Sequence, residues 1–251
     1  ENLASGESIY SARFIGDRAY LVTFKKIDPF FVIDLKDVEN PRVLGYLKIP
    51  GYSDYLHPYD ETHIIGIGKD AIDASDSGAG AGSADFAWYQ GLKIAIFDVS
   101  DVENPRESAK ITVGDRGTDS AALYEHKAFL FNREKNLLVI PINVADINES
   151  FYEGKEIPDF AYGDVVWKGA YVFDIREDEI SIRGRVTHID EENKKEDYWY
   201  DWNEEIQRSL YIDDVLYTIS NAKIKANDLE TVAEINSIEL PVEDSPRYVL
   251  Y

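Results

Sequence analysis

Phe31-Val32-Ile33-Asp34-Leu35-Lys36-Asp37-Val38-Glu39-Asn40-Pro41-Arg42 returns 64 residues later as Ile96-Phe97-Asp98-Val99-Ser100-Asp101-Val102-Glu103-Asn104-Pro105-Arg106. In each copy an apolar run rich in β-branched and aromatic residues ends at an Asp. A polar turn follows, and a Pro opens the next apolar segment. Asp37 and Asn40 are side chains that hydrogen-bond their own backbone in turns, and Pro suits a strand's first position. The block reads as the third strand, the turn and the start of the fourth strand of a repeated antiparallel unit.

Working outward, the first unit has a hairpin, 12–15 and 19–24, turned at Gly16-Asp17, before strand c at 30–35 and strand d at 43–49. Strand c is almost continuously apolar, the pattern of a strand buried on both faces, as in stacked sheets. The second unit runs 55–59, 63–67, 92–99 and 107–113, with an insertion from Lys69 to Gly91 before its strand c. The third reads 121–124, a turn at Glu125-His126-Lys127, then 128–131 with 137–142, an insertion from Asn143 to Asp164, and strands at 165–175 and 180–188. The fourth reads 209–212, 215–220, a short strand c at 222–226 in which the Asp is missing, and 232–240; residues 246–251 are a possible extra strand.

Units of four antiparallel strands in series are the pattern of β-propeller blades, and no long helical periodicity competes. The expected fold is all-β: one propeller domain, or propeller fragment, over 1–251, with about four blades at 10–50, 51–113, 114–188 and 206–241. A β-sandwich is the competing architecture. Terminal blades of such an array need a cap or closure: a four-blade ring is one arrangement, and a larger ring completed by the missing N-terminal part of the same protein, as a partner, is the other. The absence of an initiator Met is read as an internal start.

Composition narrows the function classes. The net charge of −22 disfavours phosphate backbones, and nucleic acid is not an expected partner. Lysines mixed among the acids fit a thermophile's surface. Without cysteine there is no disulfide, Cys-zinc site or thiol nucleophile. No apolar run is long enough to span a membrane as a helix.

Gly6-Glu7-Ser8-Ile9-Tyr10-Ser11-Ala12-Arg13-Phe14, Gly16-Asp17-Arg18-Ala19-Tyr20-Leu21-Val22-Thr23-Phe24, Gly51-Tyr52-Ser53-Asp54-Tyr55-Leu56-His57-Pro58, Gly114-Asp115-Arg116-Gly117-Thr118-Asp119-Ser120 and Arg208-Ser209-Leu210-Tyr211-Ile212 carry a resemblance along nearly the whole chain. The chain resembles the C-terminal β-propeller domain family of secreted archaeal and bacterial proteins, distantly WD40-like, and looks like the C-terminal part of a longer member. The resemblance implies a secreted or cell-surface location and carries no catalytic residue set.

In a blade whose strands alternate in direction, the a–b and c–d turns share one face, and the b–c and d–a loops share the other. The insertions at 69–91, 143–164 and 189–205 all fall on that second face, which becomes the expected binding face. Its aromatics include Phe86, Trp88, Tyr89, Phe151, Tyr152, Phe160, Tyr162, Tyr198, Trp199 and Trp202. Exposed rings beside carboxylates suit sugars, cationic groups or a protein partner; rings packing the loops onto the propeller are the plainer reading. Arg116, set between Asp115 and Asp119, is expected to form a buried ion pair holding its loop, or to bind an anionic group. Asp70, Asp73, Asp76 and Asp85 flank a Gly-rich run, and carboxylates on such a loop can collect calcium, although the spacing is not an EF-hand. His57, His63, His126 and His188 have no metal-ligand spacing; His63 and His188 are read on strands and His126 in an a–b turn. The expected function is a non-catalytic extracellular module presenting this face to a protein or glycan. A calcium-dependent hydrolase with carboxylates near the channel, and blades that merely complete a larger ring, are the alternatives.

Overall fold

The computed structural model describes residues 6–24, 28–74, 86–189 and 202–241. Among the described residues, sixteen strands form four four-stranded antiparallel sheets, each a meander in chain order. The first blade is β1 (Ser8–Ile15), β2 (Arg18–Phe24), β3 (Asp28–Asp34) and β4 (Arg42–Ile49); the second is β5 (Tyr52–Pro58), β6 (His63–Asp73), β7 (Ala87–Asp98) and β8 (Arg106–Val113). The third is β9 (Leu130–Asn132), β10 (Leu137–Asp146), β11 (Asp164–Arg176) and β12 (Glu179–Val186), and the fourth is β13 (Arg208–Ile212), β14 (Val215–Ile219), β15 (Lys223–Asp228) and β16 (Glu234–Glu239). This is the propeller architecture.

The apolar runs are explained by where each face goes. Side chains alternate across a strand, so a central strand feeds two interfaces. In β10, Leu138, Ile140 and Ile142 join the cluster shared with Ile65, Ile67, Leu92, Ile94 and Ile96 of the second blade. Leu137 and Val139 instead join Leu216, Leu229 and Val232 of the fourth. In β7 the split is the same: Ala95 and Phe97 face Phe30 and Val32 of the first blade.

The Asp that ends strand c is a register mark in all four blades. It pairs with the first residue of strand b as Arg18↔Asp34, His63↔Asp98, Leu137↔Asp174 and Val215↔Asp228. The fourth blade therefore keeps its Asp; strand c runs to 228, two residues past the expected end. What it lacks is the Arg. Asp34 accepts from Arg42, Asp98 from Arg106 and Asp174 from Arg183, whereas Asp228 accepts from the backbone N–H groups of Glu230 and Thr231.

A second register mark lies in strand d. Every blade has a bulge there, between Val32↔Gly45 and Ile33↔Val43 in the first, and at Ala109, Gly184 and Asn236 in the others. At this point each of the first three blades meets the c–d turn of the next. A Cβ on Gly45 would lie 2.3 Å from the Val102 carbonyl oxygen, and one on Gly184 would lie 2.8 Å from Val232 Cβ. The bulged-out Ser108 donates to the Glu177 carbonyl at 2.5 Å, and Arg183 donates to that of Leu229 at 3.0 Å.

The third blade corrects the sequence reading. Residues 121–123 and 126–128 are short 3₁₀ turns, not strand a. The first strand is 130–132, and its turn is Arg133–Asn136. Ser120 caps the first 3₁₀ turn by accepting from Ala122 N, so local capping wins over a short apolar run. His126 thus sits in the connection preceding strand a, not in an a–b turn. The insertions also shrink: β6 continues to Asp73 and β7 starts at Ala87, so Lys69, Asp70, Asp73, Trp88 and Tyr89 are strand residues.

Candidate functional site

On the insertion face, three elements converge. The extended β6–β7 hairpin brings Lys69, Trp88, Tyr89 and Gln90. The connection from β8 to the third blade brings Arg116–Asp119, and the β10–β11 insertion brings Phe160 and Tyr162. The 114–120 connection is laced to the end of β10: Asp115 N donates to the Ala145 carbonyl at 2.8 Å, Thr118 Oγ1 accepts from Ala145 N at 2.9 Å, and Asp115 Oδ2 accepts from Ile147 N at 2.7 Å. Gly163 N donates to the Arg116 carbonyl at 2.7 Å.

Those bonds place the Arg116 guanidinium between two rings, 5.0 Å from the Trp88 centroid and 5.6 Å from that of Tyr162. Arg116 Nη1 donates to the Tyr89 carbonyl at 3.3 Å. The expected ion pair with its flanking Asp residues does not form: Asp115 is taken by Ile147 N, and Asp119 by Lys69 at 2.9 Å. A guanidinium stacks on ring faces at little desolvation cost, so the rings take the place of a counter-ion. Arg116 Nε and Trp88 Nε1 are buried without a protein hydrogen-bond partner.

Trp88 divides the sequence reading in two. It packs edge-on against Phe86 at 4.9 Å and tilted against Phe160 at 5.8 Å, so it anchors the third blade's insertion to the second blade. Gln90 reinforces this by donating to the Asp159 carbonyl at 2.9 Å. Tyr162 remains 69% exposed and Tyr89 37% exposed. Together with Lys69, Gln90, Arg116, Gly117, Thr118 and Asp119 they line a cavity of about 310 Å³.

Beneath Tyr89 lies a tyrosine cluster from the inner strands. The Tyr52 ring packs edge-on to Tyr89 at 5.0 Å and tilted against Tyr10 at 4.5 Å, and the Tyr10 and Tyr89 hydroxyls are 3.2 Å apart. Burial raises the Tyr52 phenol's pKa, with the Asp54 charge adding to it. Burial also pushes the Asp54 carboxyl up to about 6, opposed by Lys69 and reinforced by Asp119. Lys69 donates to the Thr118 carbonyl as well as to Asp119. Asp54, Tyr52, Lys69 and Gln90, on the consecutive strands β5, β6 and β7 of one blade, had no signal as a site in the sequence.

The remaining candidates go elsewhere. Trp202 is exposed, lies 5.5 Å from Lys168 Nζ, and lines a separate cavity of about 500 Å³ with Tyr124, Glu205 and Arg208. Tyr152 ends a 3₁₀ turn, Glu149–Tyr152, outside both cavities. Tyr198, Trp199, Asp76 and Asp85 lie outside the described residues. Asp70 accepts from Ala71 N at 3.0 Å and from Thr112 Oγ1 at 3.4 Å. Among the described residues, the potential metal ligands that converge are Asp60, His63 and Glu177, on the short-turn face. Arg133 already binds there, 3.0 Å from Asp60 and 3.1 Å from Glu177, which makes the group an ion-pair pin between the second and third blades. His188 is fully buried between Ser220 Oγ and Thr218 Oγ1, each at 2.9 Å, a packed link between the third and fourth blades.

Comparison with known proteins agrees with this architecture. A family profile described as a beta propeller domain matches residues 1–232. An uncharacterized protein of Methanocaldococcus jannaschii is 33% identical over 237 residues, covering 94% of this chain and 29% of its own length. One from Archaeoglobus fulgidus is 31% identical over 179 residues, 70% of this chain and 26% of its own. The chain thus spans less than a third of these curated relatives. Among solved structures, apo AztD from Citrobacter koseri aligns with TM-score 0.45 at 13% identity, over 93% of this chain and 47% of that one. A Synechocystis apocarotenoid oxygenase mutant aligns with TM-score 0.39 at 9% identity, over 95% and 52%.

Proposed function

This chain belongs to the beta propeller domain family, and from that premise we propose that it is a non-catalytic interaction module whose insertion face binds a protein or glycan partner outside the cell. The observation that carries the reading is Arg116, clamped between Trp88 and Tyr162 beside a cavity with Tyr89 and Tyr162 on its rim. A pre-positioned guanidinium between rings offers hydrogen bonds in a fixed plane, and the ring faces offer apolar area with little side-chain entropy to lose. This combination suits a hydroxyl- and carboxylate-bearing sugar, or an acidic peptide side chain. In a chain of net charge −22, Arg116 in the cavity lining supplies the positive group that orients such a partner.

The test is binding of the purified chain to arrayed glycans and to archaeal or bacterial cell-envelope fractions. Arg116→Ala and Tyr162→Ala should each weaken capture about tenfold or more while melting curves stay unchanged. Equal binding by wild type and both folded variants would overturn the reading.

A further inference from the structure

The second cavity, of about 500 Å³, is built where two inter-blade connections meet. One is the connection into the third blade, which lines the Arg116 cavity with Asp119 and this one with Ala121, Tyr124 and Glu125. The other is the connection into the fourth blade, from Trp202 to Arg208, joined by Asn221 of the β14–β15 turn. Both rims are fastened to the blades. Ser120 Oγ donates to the Pro141 carbonyl at 2.6 Å, and Glu125 N donates to that of Ala121 at 2.8 Å. Gln207 N donates to the Ile219 carbonyl and Ala222 N to that of Asn203, each at 2.9 Å. A cleft held in this way is formed before a ligand enters it, which lowers the cost of binding.

The charges of this cavity are answered within its own wall. Glu205 pairs with Lys168, and Glu125 accepts from Lys127 N at 3.0 Å close to the Arg208 charge. What stays open is uncharged: two rings and two amides. Trp202 is 70% exposed and Tyr124 76% exposed. Lys168 Nζ, 5.5 Å from the Trp202 centroid, steadies the indole. The side-chain amides of Gln207 and Asn221 are exposed and make no hydrogen bond with the described residues. An amide sets a donor beside an acceptor, which matches neighbouring hydroxyl groups. Ring faces match the C–H face of a pyranose, and Tyr and Trp present them at low entropic cost. Burial and the charges of Asp119 and Glu205 raise the Tyr124 pKa, so its O–H is retained as a further donor. We propose that this cavity is a second binding site, which takes a neutral sugar unit against Trp202 and Tyr124 and hydrogen-bonds its hydroxyls through Gln207 and Asn221. This goes beyond the Arg116 reading and does not depend on it, since none of these four residues lines the Arg116 cavity.

Calorimetric titration and tryptophan fluorescence of the purified chain test this, with short neutral oligosaccharides of glucose, mannose, galactose and N-acetylglucosamine as probes. The expected result is saturable binding of at least one series, with an emission change that Trp202→Ala abolishes. Trp202→Ala, and Gln207→Ala combined with Asn221→Ala, should each weaken binding about tenfold or more. Trp202→Phe should keep most of the affinity. The substituted side chains are exposed, so melting should not move; Tyr124→Ala, on the other rim, serves if a Trp202 variant folds poorly. Because the ligand carries no charge, affinity should hold as salt rises. Arg116→Ala should leave it unchanged, which separates failure at this cavity from failure at the Arg116 face. No saturable binding by any series, equal binding by wild type and the ring and amide variants, affinity that falls steeply with salt, or a loss in Arg116→Ala equal to that in Trp202→Ala would each overturn the proposal.

Discussion

Arg183 Nη1 donates to the Leu229 carbonyl at 3.0 Å while its Nη2 holds Asp174 Oδ1 at 2.6 Å, so a single guanidinium closes the third blade's own turn and fastens the fourth blade to it. It also reaches the Lys135 carbonyl at 3.3 Å. The side chain is 14% exposed, so these bonds are largely shielded from water.

Replacing Arg183 with Ala leaves Asp174 and two carbonyls short of a donor. The expected loss is about 2–3 kcal/mol, the scale of charge-assisted hydrogen bonds in a partly buried site. Arg183→Lys should recover only part of it, because an ammonium cannot span the carboxylate and the neighbouring blade together. Urea melts give the magnitude. Hydrogen exchange gives the place: β13 to β15 should open first, and an equal effect in every blade would contradict the role as a pin.

Gly45 admits no side chain. A Cβ there meets the backbone carbonyls of Val102 and Glu103 at 2.3 and 2.6 Å. Because backbone rather than a flexible side-chain tip stands in the way, Gly45→Val must separate the first two blades. About 1–3 kcal/mol of destabilisation is expected, measured by chemical denaturation. Gly6→Ala, with no neighbour near its Cβ position but a positive φ, would serve as a control for backbone strain alone.

Asp54 sets a pH dependence of known sign. Its carboxyl is raised by burial to about 6 from an ordinary 3.8. A raised folded-state pKa stabilises the fold below the unfolded value, and that contribution is lost as pH rises through about 6. Asp54→Asn should therefore raise the melting temperature at pH 8 relative to wild type and leave it little changed at pH 4. His57 behaves in the opposite sense: burial, then the Arg13 charge, push it down to about 4. Its neutral form stabilises the fold above 6.5, and that contribution is lost as pH falls toward 4. Melting temperature against pH for wild type, Asp54→Asn and His57→Gln separates the two.

The repeated Asp-x-x-Asp-Val-Glu-Asn-Pro-Arg block was legible because it solves a local problem: Asp37 and Asp101 each accept from the backbone two residues on and from an Asn side chain three residues on. Such turns are written in contiguous residues, and blade positions follow from them. The third blade's first strand was not legible, since Leu130–Asn132 is only three residues long and follows two capped 3₁₀ turns of similar apolar content. Asp228 was missed because its partners are backbone N–H groups rather than an Arg. At the candidate site, Trp88, Tyr89, Tyr162 and Arg116 were visible as residue types on the insertion face. Their convergence was not, because the bonds that produce it run between Asp115 or Thr118 and residues of the next blade.

Gly117 ties that convergence to function. Its φ is +112°, a region L side chains rarely adopt, and a Cβ would stand 2.7 Å from Tyr162 Cε1 and 3.0 Å from the Ala145 side chain. Gly117→Ala therefore strains the backbone by about 1–3 kcal/mol and pushes Tyr162 off Arg116. The fold should survive, since Asp115 and Thr118 still hold the connection to β10. Binding through the Arg116 face should fall with a drop similar to that of Tyr162→Ala, and the two changes combined should lose little more than either alone, because both remove one ring from the same guanidinium. Titration of the four proteins against whichever partner is captured gives the coupling. Full additivity would mean that Gly117 shapes the surface independently of Tyr162 and that the stacked Arg116 is not the unit that binds.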